Sequence, residues 1–116
     1  MTDAITDTGT IVAQRPPSVG RMFADRVAAT PTREAFRYPQ GSGWAAITWQ
    51  ETKDRADAIA AGLIALGVEP EQRVAIASAT RIEWVLADLA IMCAGAATTT
   101  WSPWRSTSIT ISVSSV

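Results

Sequence analysis

The stretch RVAIASATRIEWVLADLAIMCAGAATTT, residues 73–100, decides the fold. Its first five residues, RVAIA, form a short apolar run rich enough in Val and Ile for a buried parallel strand. Thr80-Arg81-Ile82-Glu83 has the spacing of a capping box, a Thr cap with Glu three residues later. Ile82, Val85, Leu86, Leu89, Met92 and Cys93 then recur at intervals that place them on one helical face. Gly95 suits the left-handed stop of that helix. Ala96–Thr100 reads as the next strand. The order strand, helix, strand makes a βαβ unit, with parallel strands and a crossover expected to be right-handed.

Upstream, Val68-Glu69-Pro70-Glu71-Gln72 reads as the turn into the first of these strands. Before it, Thr48-Trp49-Gln50-Glu51 is a second capping-box spacing and opens a helix. Ala56, Ile59, Ala60, Leu63 and Leu66 form its apolar stripe, and Gly67 suits its end. Glu51, Lys53, Asp54, Arg55 and Asp57 crowd the first half of that helix and read as a solvated face. Two extended runs precede it, Glu34–Tyr38 and Trp44–Trp49. The PQGSG between them is a hairpin signal, because glycine tolerates the positive φ of a tight turn. Earlier still, Ser18 is placed to cap a helix carrying Val19, Met22, Phe23 and Val27 on one side, closed by Pro31.

Two motifs invite a nucleotide-binding reading. Gly41-Ser42-Gly43 would need to open a helix whose N-terminus meets a phosphate, but it leads into Trp44 and an extended run. Thr98-Thr99-Thr100 offers a row of hydroxyls. No glycine-rich turn follows it, and the chain's only lysine is Lys53. It reads as a strand end.

Composition excludes other classes. Hydrophobic residues at 47% and charged residues at 18% fit a globular chain, long enough at 116 residues for one core. A net charge of -1 without a basic cluster leaves no electrostatic footprint for nucleic acid. One Cys and no His exclude an internal disulfide, a Cys–His nucleophile and a zinc site. Cys93 is expected as a small buried hydrophobe. No paired-carboxylate constellation stands out, since Asp54, Asp57 and Asp88 are explained by helix surfaces. The N-terminus lacks the basic and apolar regions of a secretory signal, and no apolar run reaches the ~20 residues of a transmembrane helix. A cytoplasmic location is expected.

Residues 101–116 change vocabulary. WSPWRSTSITISVSSV contains no Ala, Gly or acid and a single charged residue, Arg105. Ile109, Ile111 and Val113 alternate with Ser108, Thr110 and Ser112, so the segment has the period of a strand.

The passage ITWQETKDRADAIAAGLIALGVEPEQRVAIASATRIEWVLADLAIMCAGAATTT, residues 47–100, resembles the N-terminal region of AMP-forming acyl-CoA synthetases, the adenylate-forming ligases. Within them it is similar to bacterial long-chain fatty-acid–CoA ligases. The residues that carry the likeness are Thr48-Trp49, Ala60-Ala61-Gly62-Leu63, Leu66-Gly67-Val68 and Arg73-Val74-Ala75-Ile76. Glu83-Trp84-Val85, Ala87-Asp88-Leu89-Ala90 and Ala94-Gly95-Ala96 follow in order, while Phe23, Pro31 and Ala35 fit the family's opening helix and hairpin. The resemblance covers residues 17–100, after a loose leader at 1–16 and before a non-family tail at 101–116. It implies an α/β fold, an incomplete N-terminal part of the larger layered adenylating domain: helix, β-hairpin, helix and βαβ unit.

The resemblance also implies chemistry. In intact members a fatty acid attacks the α-phosphate of ATP with Mg²⁺ present, giving an acyl-adenylate and pyrophosphate. The thiol of CoA then displaces AMP. The family's phosphate loop, approximately T-S-G-T-T-G-x-P-K-G, has no counterpart in this sequence, nor do its later acidic motif and C-terminal lysine. No catalytic, cofactor-binding or metal-binding residue is therefore carried over, and ATP, Mg and CoA are implied only for the intact family. The chain alone is expected to be inactive and marginally stable, prone to aggregation or to pairing through an open sheet edge. The change at Trp101 is expected to mark a shifted reading frame in GC-rich DNA. The alternative is a short non-catalytic interaction module.

Overall fold

The computed structural model describes residues 7–101 and 110–114. Helix α1 spans Thr8–Ala13 and α2 Val19–Ala29; strands β1 Glu34–Gln40 and β2 Gly43–Thr48 follow. Then come α3 Trp49–Ala65, β3 Arg73–Ala77, α4 Ile82–Cys93, β4 Ala97–Trp101 and β5 Thr110–Ser114. This is the α/β order that residues 17–100 lead one to expect.

The hairpin β1–β2 is antiparallel and turns at Gly41-Ser42, with Gln40 opposite Gly43. Gly41 has φ 59°, the conformation for which the glycine is needed. Trp49 departs from the expected strand and is the first residue of α3. The reason is the Thr48 cap: the Thr48 hydroxyl accepts from Glu51 N at 3.1 Å, and the Glu51 carboxylate accepts from Thr48 N at 3.4 Å. That reciprocal box ends the strand one residue early.

The βαβ unit is present, with β3 parallel to β4 in the register Arg73↔Ala97 through Ala77↔Trp101. The tail supplies a third strand. β5 runs antiparallel on the other side of β3, placing Ile111 opposite Ile76, so the sheet order is β4-β3-β5. Ile111 packs on a core of Leu63, Val68, Val74, Ile76, Ala87, Ile91 and Ala96. A second core joins Phe23 and Val27 of α2 to Ala56 and Ala60 of α3 and Ala90 of α4. Small side chains at that junction let the three helices approach closely. Gly20 serves the same end, because a Cβ there would lie 3.3 Å from the Met92 carbonyl oxygen.

Several expectations are corrected. The second capping box does not form. Arg81, not Thr80, is the N-cap of α4 and gives no side-chain cap bond. The Glu83 carboxylate instead accepts from Arg81 Nε at 2.7 Å, so it is turned away from the backbone it was expected to cap. The buried face of α4 is Leu86, Ala87, Ala90 and Ile91, rotated from the expected stripe because Ala90 packs with α2 and α3 while Ala87 and Ile91 join the core around β3. Cys93 is exposed rather than buried. Leu66 lies beyond the last turn of α3 and is 82% exposed. Val19 and Met22 are exposed while Phe23 and Val27 are buried. Within the leader, Thr8–Ala13 is helical, held by the Asp7 carboxylate accepting from Gly9 N and Thr10 N at 3.2 Å each. No residue of that helix is buried.

Candidate functional site

An α/β sheet usually offers its chemistry beyond the carboxyl ends of parallel strands. Ser78, just after β3, is fully buried, and its hydroxyl donates to the Ala79 carbonyl at 2.9 Å. On β4 the Thr98 hydroxyl oxygen is buried without a hydrogen-bond partner. Neither lies on a glycine turn. Lys53, the only lysine, sits on α3 in an ion pair with Asp57. Gly41-Ser42-Gly43 is spent on the hairpin turn. Among the described residues no group of three or more His, Cys, Asp and Glu is placed to hold a metal ion.

Cys93 is no better as a nucleophile. Its surroundings raise the thiol pKa, first through desolvation and then through the nearby Asp57 carboxylate, with Lys53 opposing. A raised pKa leaves little thiolate at neutral pH. The charged face of α3 is solvated, as its spacing suggested: Gln50 Nε2 donates to Asp54 at 2.9 Å, beside the Lys53–Asp57 pair.

The concave feature with defined walls is an apolar cleft of about 430 Å³ between α2, β1, α3 and α4. Met22, Phe23, Phe36, Trp49 and Leu89 are among the residues that line it. Trp49 stands between two rings, with centroids 6.3 Å from Phe23 and 5.9 Å from Phe36, both tilted. Sequence reasoning missed the cleft, because it placed Phe36 in a hairpin strand, Trp49 at the junction of that hairpin with a helix and Met22 on a helical stripe, with nothing to bring the three together. The capping box at Thr48 was the available signal, since it makes Trp49 the start of a helix facing α2. A more polar cavity of about 420 Å³ lies between the hairpin and the start of α4, lined by Tyr38, Gln40, Thr80, Arg81 and Glu83.

The sequence profile of the AMP-binding enzyme family matches residues 23–108. This chain belongs to that family. Over 55 residues it is 47% identical to the long-chain-fatty-acid–CoA ligase FadD15 of Mycobacterium tuberculosis, an alignment covering 47% of this chain and 9% of that protein. The fatty acid AMP ligase of Legionella pneumophila shares the fold with a TM-score of 0.71 at 21% identity, over 85% of this chain and 17% of that one. The N-terminal subdomain of NpsA from Klebsiella oxytoca gives a TM-score of 0.68 at 25% identity, over 77% of this chain and 22% of that one.

This AMP-binding family chain thus spans 9% to 10% of the length of the curated relatives it matches. The profile continues past Thr100 to residue 108, into the stretch whose composition differs. The family match runs from within α2 through the hairpin, α3 and the βαβ unit. No described helix is long and apolar enough to cross a membrane.

Proposed function

We propose that this chain is an N-terminal scaffold portion of a long-chain fatty-acid–CoA ligase. In the intact enzyme, ATP and a fatty acid give an acyl-adenylate and pyrophosphate, and CoA then releases AMP. The observation that carries the reading is the 47% identity over 55 residues with a ligase of that name, inside a family match over residues 23–108. The absence of a phosphate loop from these residues supports the further proposal that the 116-residue chain does not catalyse adenylation. Drawing two anions together needs positioned donors and cations, and the strand ends here supply neither.

The test is ATP–pyrophosphate exchange by the purified chain with a long-chain fatty acid. The expected result is no exchange above a heat-inactivated control. Exchange above that control would overturn the proposal, because adenylation would then proceed on residues assigned to scaffold. The compositional change at Trp101 is proposed to reflect a shifted reading frame, a reading that competes with the family match reaching residue 108. Sequencing the DNA through the Trp101 codon decides it, by the presence or absence of ligase-like residues in an offset frame.

A second reading, a non-catalytic interaction module, is favoured by one observation. β4 has a strand neighbour on only one side among the described residues. An unpaired edge is a template for another chain. Sedimentation velocity across a hundredfold concentration range tests it: association supports the module, and a monomer throughout removes it.

A further inference from the structure

The apolar cleft has a charged end. A smaller cavity of about 220 Å³ adjoins it, lined by Arg26, Thr30, Arg33, Glu34 and Trp49. Arg26 and Trp49 line both spaces. The carboxylates in this region are already engaged. Asp25, on the cleft wall, accepts from Arg21 Nε at 3.1 Å. Glu34 accepts from Arg37 through both oxygens, at 3.2 and 3.0 Å. Arg26 and Arg33 have no ion pair among the described residues. The combination is an apolar, ring-lined hollow and an adjoining smaller one, lined between them by two arginines without an ion pair among the described residues and by two carboxylates already paired to other arginines. The larger hollow's volume falls in the range of about 300–1,000 Å³ typical of small-molecule sites, which are mostly apolar with a few placed polar groups.

We propose that this cleft binds a small organic anion with an apolar, ring-bearing body. The body lies against Phe23, Phe36 and Trp49, and the anionic head meets Arg26 and Arg33. Charge complementarity selects the class. An uncharged apolar molecule would leave both guanidiniums unused, and an inorganic anion would leave the aromatic wall in water. The planar guanidinium suits an oxygen-bearing head, which it bonds in a fork geometry. Among the described residues no Ser, Thr, Cys, His or Lys lines the cleft, so it is proposed as a site of binding and not of bond-making. The proposal stands apart from the ligase reading and does not depend on adenylation.

The probe is naphthalene-2-sulfonate, titrated calorimetrically into the full 116-residue chain, with helix content followed by circular dichroism in the same samples. Saturable one-to-one binding is expected. Naphthalene-2-methanol and methanesulfonate, which carry only the body or only the head, are expected to bind at least tenfold more weakly. Arg26→Ala with Arg33→Ala is expected to weaken the sulfonate at least tenfold with unchanged helix content, while Arg55→Ala on the solvated face of α3 has no effect. Arg26→Glu with Arg33→Glu is expected to exchange preference toward naphthylmethylamine, an outcome that unfolding cannot mimic. The proposal is overturned by equal affinity for the uncharged comparator, by binding indifferent to both arginines, or by no saturable binding to a chain that retains its helix signal.

Discussion

Glu71 sits at φ 68°, in the left-handed region that costs an L-residue roughly 1–2 kcal/mol. The strain is held by two bonds that join the turn before β3 to the turn before β4. Glu71 N donates to the Gly95 carbonyl at 2.8 Å, and Ala97 N donates to the Gln72 carbonyl at 2.8 Å. The Glu71 side chain is exposed and its backbone does the bonding, so Glu71→Gly keeps both bonds and relieves the strain. A rise in thermal midpoint of a few degrees is expected, read by circular dichroism. Cys93 offers a second test at this scale. Its thiol pKa is raised by desolvation and by Asp57. Removing that negative charge lowers the pKa, so Asp57→Asn raises the thiolate fraction at pH 8. Iodoacetamide should then alkylate Cys93 faster in the variant than in the parent chain. Equal rates would mean that the Asp57 carboxylate does not act on the sulfur.

At the scale of elements, two sequences with the same capping-box spacing behave differently. Thr48 caps α3 in both directions, whereas Thr80 lies one residue outside α4 and makes no cap. Thr48→Ala is therefore expected to cost about 0.5–2 kcal/mol. Thr80→Ala should stay within about 0.5 kcal/mol. Urea unfolding of the pair checks both. The contrast shows where sequence is legible. Spacing places Glu three residues after a Thr, but it does not reveal that Arg81 will draw Glu83 sideways. The hairpin was legible because its turn chemistry is local to Gly41. The parallel strands were legible because RVAIA is apolar on both faces. The buried face of α4 was not, because alanines carry little hydrophobic signal, and Ala90 is inside because α2 and α3 come close while Ala87 is inside because the helix lies on the core around β3. The cleft was hidden for a related reason: its walls come from four elements far apart in sequence.

For the molecule as a whole, β3 is the hub. Ile76 is fully buried, lies opposite Thr100 on β4 and Ile111 on β5, and belongs to the larger core. Truncation of a buried Ile to Ala costs about 2–5 kcal/mol, a large share of the 5–15 kcal/mol or so that holds a typical domain together. Ile76→Ala is expected to remove the cooperative thermal transition, and a transition persisting within a few degrees of the parent would show that β3 is not central. Both sides of the Arg37–Glu34 and Arg21–Asp25 pairs are exposed, so such surface contacts add little to this balance.

The position of β5 has a consequence in time. Its first residue follows the last of β3 by 110 − 77 = 33 positions. During synthesis at roughly 5–20 residues per second, β3 and its partner β4 are complete while the strand that seals the other side of β3 is still unmade. For an interval on the order of seconds RVAIA exists as an apolar ribbon before its antiparallel partner has been made. That side of β3 is closed only when Ile111 arrives opposite Ile76.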